Sequence, residues 1–138
     1  MHNIFTKALW SPVVVGGWLL VFLPSVTLSA ELILVEQGGC YSCVKFNQEQ
    51  GDVFDLWFAK ELPLRRIDIH HRWPYKNAGV RRAMGTPTFI LVEGGKEIGR
   101  FAGYGSSKLF WKKFDAVMAK REGTAEAGVA LTESGSTR

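Results

Sequence analysis

The sequence is poor in cysteine, which limits the ways in which the chain can be stabilised. Two of its 138 residues are cysteines, Cys40 and Cys43, with two residues between them. A small exported fold that depends on disulfides usually carries four or more cysteines, which argues against a disulfide-stapled scaffold. A pair this close encloses almost no loop and restricts the unfolded chain little. The two cysteines are therefore better explained by chemistry than by cross-linking.

The sequence also lacks a long run of basic residues and any internal repeat. Its 17 lysines and arginines against 13 acidic residues give a formal charge of +4. This balance disfavours nucleic-acid binding but allows an acidic partner protein or an anionic small molecule. A solvated surface is the simpler interpretation of the basic middle of the chain, and the alternative is that Arg81 or Arg82 contacts an acidic partner or favours a thiolate. The residues of this basic stretch are Arg65, Arg66, Arg72, Lys76, Arg81 and Arg82.

Charge is nearly absent from the first thirty residues, where Lys7 is the only charged side chain. A weakly basic start, an apolar middle, a helix break at Pro24 and small residues after it are typical of a signal peptide over residues 1–30. An uncleaved inner-membrane anchor is the alternative, because about 20 apolar residues suffice to span a bilayer. Either way we expect an extracytoplasmic, oxidising environment for one domain over residues 31–121, followed by a disordered tail over residues 122–138.

Apolar periodicity and turn signals divide the domain into four strands and three helices. Short apolar runs predict the strands, and Gly94-Gly95 predicts a hairpin between the last two. The first helix is expected to break at Gly51-Asp52, and Ser106 is expected to cap the last helix. Strands separated by helices pair in parallel, so the sequence predicts an α/β fold of order β-α-β-α-β-β-α, with a four-stranded mixed sheet flanked by helices. The predicted strands cover residues 31–36, 64–69, 88–93 and 96–101, and the helices cover residues 40–60 with that break, 74–83 and 107–121.

The segment Cys40-Tyr41-Ser42-Cys43 lies where the first strand gives way to the first helix. Unpaired N–H groups and the helix dipole favour an anion at a helix N-terminus, and therefore a Cys40 thiolate. One helical turn brings Cys43 back beside it, so the pattern predicts Cys40 as the nucleophile and Cys43 as the resolving thiol of disulfide exchange. Two alternatives are a purely structural disulfide and half a zinc site completed by His70-His71, although adjacent histidines lack the usual ligand spacing.

Pro87 is the second notable feature, because it opens a strand that is predicted to lie centrally in the sheet. A proline cannot donate to a strand ladder, so it should occupy the first strand position or an unusual turn. The segment Gly85-Thr86-Pro87-Thr88-Phe89 resembles the cis-proline loop of thioredoxin-like proteins. The resemblance implies that Thr86 and a cis Pro87 lie against the cysteine pair and bind the substrate protein. Judged locally, an ordinary trans proline at a strand start is the alternative.

The stretch from Glu31 to about Lys120 resembles the periplasmic thioredoxin-like proteins of sulfur-oxidation (Sox) gene clusters, the SoxS type. Two cysteines and a Thr-Pro belong to many such folds, whereas Pro63-Leu64-Arg65-Arg66-Ile67-Asp68 and Gly99-Arg100-Phe101-Ala102-Gly103-Tyr104 are more particular. With one strand before the cysteines, the chain resembles the smaller glutaredoxin-sized core. The resemblance implies a periplasmic dithiol that reduces or reactivates a partner protein with a reducible disulfide or blocked thiol, in thiosulfate or sulfur oxidation. It also implies a membrane thiol reductase as electron donor.

The sequence departs from the thioredoxin pattern at one informative position. Leu34 stands six residues before the first cysteine, where thioredoxins often have a buried acid, and Glu36 is the nearest acid. Tyr41 lies between the cysteines and is expected to be partly exposed and to contact the partner. We expect no cofactor, no metal and no nucleic-acid partner, and contact with the membrane only if the N-terminal segment stays uncleaved. A competing hypothesis is a non-catalytic redox-sensing regulator or assembly factor on the same fold.

Overall fold

A computed structural model describes residues 29–76 and 78–133, with the backbone alone from residue 127 onwards. Its four strands are β1 (Ala30–Glu36), β2 (Leu64–Asp68), β3 (Thr88–Glu93) and β4 (Lys96–Ala102). They form one sheet in the order β2-β1-β3-β4. β1 runs parallel to β2 and antiparallel to β3, and β3 pairs antiparallel with β4. The predicted α/β fold with a four-stranded mixed sheet flanked by helices is therefore confirmed.

The chain turns into helix directly after the first cysteine and stays helical across the predicted break. Helix α1 (Tyr41–Phe46) continues through a π-helical turn (Asn47–Gly51) into α2 (Asp52–Phe58). The expected break at Gly51-Asp52 is thus a widened turn. Gly51 is buried there, and a β-carbon on it would lie 3.3 Å from the guanidinium of Arg66. Glycine fits this turn because the side chain of Arg66, on β2, packs closely against the backbone.

The helix predicted over residues 74–83 is absent from the part of that segment that the structure describes, which forms turns instead. Side chains bind backbone groups of this β2–β3 connection: the Trp73 indole N–H donates to the carbonyl of Val80 at 2.8 Å. The Arg82 guanidinium donates to the carbonyls of Ile69 and His71. Gly79 adopts a positive φ of 73°. These bonds satisfy backbone carbonyls of the connection, and so they stabilise a loop.

The last helix, α3 (Ser107–Glu133), also extends beyond its predicted end. The amide of Leu109 donates to the Ser106 hydroxyl at 3.4 Å, as expected of the predicted cap. Residues 122–133, placed in the predicted disordered tail, are helical. Alanine and glutamate recur in this stretch and favour helix locally, which offsets its two glycines. Residues 134–138 and most of the predicted signal segment lie outside the described residues.

The sheet separates two apolar clusters. The alternate β1 residues Leu32 and Leu34 face the helices, where Phe46, Phe89 and Phe110 lie with ring centroids 4.8–5.1 Å apart. The other β1 face packs against the β2–β3 connection, whose contribution to the core is Tyr75, Val80 and Ala83. The loop thus covers the face on which a helix was expected. Trp57 is 76% exposed because it lies on the outer side of α2. None of the described helices is long and apolar enough to cross a membrane.

Candidate active site

Cys40 and Cys43 are joined by a disulfide at the start of α1, with their Cα atoms 5.3 Å apart. Cys40 is the N-cap residue of the helix, with an extended backbone. The Cys43 amide donates to the Cys40 Sγ at 3.2 Å, and the Cys40 carbonyl accepts from the amides of Cys43 and Val44. The sulfur of Cys40 therefore takes the place that a capping oxygen usually occupies. A thiolate there would gain this N–H group and the positive end of the helix dipole.

The two sulfur-bearing residues differ in accessibility. Cys43 is 2% exposed, whereas Cys40 is only partly buried. A sulfur atom of a second protein can reach the outer cysteine but not the inner one. The site can therefore carry out thiol–disulfide exchange.

The Thr86–Pro87 peptide bond is cis. Val35, near the end of β1, pairs with Thr88, the first residue of β3. Pro87 therefore lies at the end of the sheet where β1 stops and the cysteine loop begins. The amide of Gly103 donates to the Pro87 carbonyl at 2.8 Å, and the Thr88 hydroxyl donates to the Gly85 carbonyl at 2.7 Å. The proline segment is therefore fixed on both sides, by β4 and by its own turn.

The surface around these segments carries exposed apolar side chains. Tyr41, the first residue of α1, is 79% exposed, and Met84, two residues before the Thr86–Pro87 bond, is 97% exposed. Val44 and Leu109 are also exposed. Large apolar side chains left in water next to a reactive group are typical of a surface that binds another protein.

The structure adds a layer of polar contacts that the sequence did not indicate. Asn47, one helical turn after Cys43, donates to the Glu36 carboxylate at 3.0 Å, so the acid next to the site is bound to the active-site helix. The Tyr104 hydroxyl donates to the Glu49 carboxylate at 2.7 Å, and burial followed by this bond raises the pKa of Tyr104. In the sequence, the one signal that pointed to Tyr104 was its place in the segment Gly99-Arg100-Phe101-Ala102-Gly103-Tyr104, which carries the family resemblance. These bonds tie the π-helical turn to β1 and to the loop after β4.

The histidines considered for a zinc site lie away from the cysteine pair in the chain, in the turn after β2. The amide of His70 donates to the Asp68 carboxylate at 2.7 Å, and both histidines are exposed. Within residues 29–76 and 78–133 no group of three or more histidine, cysteine or acidic side chains is arranged to hold a metal ion.

The chain is similar to several solved structures. The periplasmic thioredoxin SoxS from Paracoccus pantotrophus, in its reduced form, matches with a TM-score of 0.60 and 26% identity, over 67% of this chain and 98% of that one. A Fasciola hepatica thioredoxin matches with a TM-score of 0.48 and 19% identity, over 62% of this chain and 79% of that one. Malassezia sympodialis thioredoxin matches with a TM-score of 0.49 and 18% identity, over 67% of this chain and 75% of that one. No protein-family model matches the sequence, and no curated protein matches it. The fold is thioredoxin-like, a conclusion that rests on the first of these structures.

Proposed function

We propose that this member of the thioredoxin-like superfamily, a thiol–disulfide oxidoreductase, acts in the periplasm. There its dithiol form reduces a partner protein of thiosulfate or sulfur oxidation. The observation that carries the chemistry is the unequal cysteine pair. An accessible Cys40 sulfur accepts an N–H at the start of a helix, above a buried Cys43. The compartment is supported by the likeness to a periplasmic thioredoxin. The partner is what the resemblance to the SoxS-type proteins implies.

The reaction starts from the reduced pair. The Cys40 thiolate attacks one sulfur of the partner disulfide, a Cys40–partner bond forms, and the partner S–S bond breaks. The departing partner sulfur leaves as a thiolate and takes a proton from water. Cys40 fits this role because it is the exposed member of the pair and because its sulfur lies at the N-cap.

Cys43 completes the exchange. Its thiolate attacks the Cys40 sulfur, the intramolecular disulfide forms, and the second partner sulfur leaves and is protonated. Two electrons pass from the dithiol to the partner, and the product is the disulfide form seen in the structure. The 5.3 Å between the two Cα atoms lies in the usual range for a disulfide, so this step needs no large backbone movement.

Three further residues contact the partner in this proposal. Thr86 and the cis Pro87 bind an extended segment of the partner beside the cysteine loop. Their backbone is held in place because the Gly103 amide donates to the Pro87 carbonyl. Tyr41 provides a large exposed ring next to Cys40. A partner that covers this ring also removes water from the sulfur atoms.

The pair must be reduced again after each turnover. A membrane thiol reductase is the electron source that a periplasmic dithiol would use. A partner whose thiol is blocked through a disulfide bond to a small sulfur-bearing group would be freed by the same chemistry. Cys40 attacks the sulfur of the blocking group, the S–S bond to the partner breaks, and the partner leaves as a thiolate that takes a proton from water. Cys43 then attacks the Cys40 sulfur and displaces the blocking group as a thiol.

The redox potential tests the direction of electron flow. The purified domain is equilibrated with glutathione or dithiothreitol buffers, and the reduced fraction of Cys40 and Cys43 is measured by thiol alkylation. We expect a potential close to the value of about −270 mV that is typical of thioredoxin, together with reduction of insulin disulfides. A value near about −120 mV would make the chain an oxidant. Full biological activity of a Cys40→Ser variant would instead favour the non-catalytic regulator.

A further inference from the structure

A strip of basic side chains leads away from the Thr86–Pro87 bond. One open groove of about 720 Å³ lies along Gly85, Thr86 and Pro87, and a second of about 600 Å³ adjoins it. Arg81 and Arg82 line both. We call this surface the basic strip; its charged members are Arg72, Lys76, Arg81, Arg82 and Arg100. Among the described residues that line the two grooves there is no aspartate or glutamate.

Two of these guanidinium groups are held in place by other groups. The Arg82 guanidinium donates to the carbonyls of Ile69 and His71, and the Arg100 guanidinium donates to the carbonyl of Arg81 at 2.7 Å. Bonds to carbonyl groups fix a guanidinium without cancelling its charge. These groups have therefore lost part of their side-chain entropy before any ligand binds, which lowers the cost of binding.

One carboxylate lies behind the strip. Glu97 accepts from Arg100 at 2.6 Å and lies 3.9 Å from the guanidinium of Arg81, so it offsets about one of the positive charges. Arg81 nonetheless has an 80% exposed side chain. Elsewhere in the basic stretch, Arg65 and Arg66 lie within 4.0 Å of the carboxylates of Glu31 and Asp55. Arg81 and Arg100 share the single carboxylate of Glu97, so five cations against one acid leave the strip with an excess of positive charge next to the exchange site.

We propose that the basic strip binds an acidic, extended segment of the partner protein, next to the cysteine that is exchanged. The inference rests on the proposed function and adds the chemistry of its substrate. The segment would lie along the grooves with aspartate or glutamate side chains toward Arg81, Arg82 and Arg72. An apolar residue of the segment would pack on Met84, which stands fully in water between the arginines and the proline. Electrostatic attraction of this kind raises the association rate more than it slows dissociation.

The test uses two disulfide-linked peptides that are identical around the cysteine. One carries four aspartate and glutamate residues beside it, and the other carries asparagine and glutamine at the same positions. The ratio of their kcat/KM values is measured for the wild-type domain, for an Arg72→Gln/Arg81→Gln variant, and for Lys112→Gln as a control. Lys112 is an exposed cation on α3 that lines neither groove.

The wild type should prefer the acidic peptide by about fivefold to tenfold at low salt, as expected for two or three exposed ion pairs. The double variant should lower this ratio to about two, Lys112→Gln should keep it, and salt near 1 M should abolish it because charges are then screened within about 3 Å. Equal rates for both peptides in the wild type would overturn the basic strip as a specificity surface while leaving the oxidoreductase intact. Reduction of neither peptide would instead count against the proposed function.

The same cations could attract a membrane rather than a protein. Co-sedimentation with vesicles that contain phosphatidylglycerol separates the two, because the acidic-segment proposal predicts no dependence of vesicle binding on Arg72 and Arg81. Vesicle binding that the double variant loses, together with equal peptide rates, would assign the strip to lipid and overturn the proposal.

Discussion

The amide of Gly103 donates a hydrogen bond of 2.8 Å to the carbonyl of Pro87. This bond connects the end of β4 to the segment that is expected to hold the substrate. Gly103 makes it with a φ of 77°, a conformation that favours glycine. The geometry of the proline segment therefore depends on the backbone of a residue outside it.

Replacing Gly103 tests that dependence. A β-carbon at this position would meet no atom within 4 Å, so the cost of Gly103→Ala is conformational and not steric. We expect a loss of about 1–2 kcal/mol in the free energy of unfolding, measured by urea denaturation. We also expect a raised KM for a protein disulfide, because alanine keeps the amide N–H but disfavours the positive φ that directs it at the Pro87 carbonyl.

Gly105→Ala is the matched control, since Gly105 has no positive φ and its β-carbon would lie 4.0 Å from the nearest atom, on Leu109. This variant should keep both the stability and the KM of the wild type. If Gly103→Ala behaves in the same way as Gly105→Ala, the bond to Pro87 does not hold the loop in the way described.

Tyr75 makes the stability of the second apolar cluster sensitive to alkali. Its hydroxyl donates to Glu31 and accepts from Arg65 at 3.1 Å. Burial, followed by the bond to Glu31, raises the pKa of Tyr75 from 10.0 to about 12. A pKa that is higher in the folded state means stability that is present below pH 10.0 and is lost as the pH rises through about 12.

Urea unfolding of the wild type and of Tyr75→Phe at pH 8 and at pH 11 measures this contribution. The wild type should lose more stability between the two values than the variant, because the variant has no phenol to deprotonate. Tyr41→Phe serves as the control, since Tyr41 is exposed and away from that cluster. Identical pH dependence of the wild type and Tyr75→Phe would contradict the hydrogen-bonded arrangement.

Glu97 makes the stability of the fold depend on pH in the opposite direction, with a loss of stability in acid. The bond from Arg100 is the largest cause that holds the pKa of Glu97 below its ordinary value of 4.5. Its contribution to stability is therefore fully present above that value and is lost as the pH falls through the lower, folded-state pKa. Glu97→Gln should lower stability at neutral pH and reduce its loss in acid.

The measurement is the difference in unfolding free energy between wild type and Glu97→Gln, taken at pH 7 and at pH 3. The difference should shrink toward pH 3, because that pH lies below the ordinary pKa of 4.5, where this contribution to stability starts to be lost. An exposed acid on α3, Glu122, provides the control variant Glu122→Gln. A difference that stays constant over this range would show that the ion pair with Arg100 does not form in solution.

Much of the fold follows from local patterns in the sequence. The third strand begins and ends at the predicted residues, since a β-branched and aromatic run is bounded by a proline and a glycine pair. Gly94-Gly95 forms the predicted hairpin with both glycines at positive φ. The cysteine pair and the Thr86–Pro87 segment were predicted because each is a contiguous motif whose chemistry depends on neighbours in the chain.

The remaining features depend on partners distant in sequence. Local signals predict a helix over residues 74–83, but Trp73 and Arg82 bind backbone groups that come together only in the folded chain. The π-helical turn likewise follows from contacts of Glu49 and Gln50 with Tyr104 and Trp111, more than fifty residues away. Such contacts require the register of the sheet and the placement of α3, which a single sequence does not supply.

The central claim is that Cys40 attacks and Cys43 resolves. Its most direct test is the incubation of Cys43→Ser and Cys40→Ser variants with a disulfide-containing protein, followed by non-reducing electrophoresis and mass spectrometry of the linked peptides. We predict that Cys43→Ser accumulates a stable mixed disulfide through Cys40, whereas Cys40→Ser traps little because Cys43 is 2% exposed. Equal trapping by both variants, or preferential trapping through Cys43, would contradict the account.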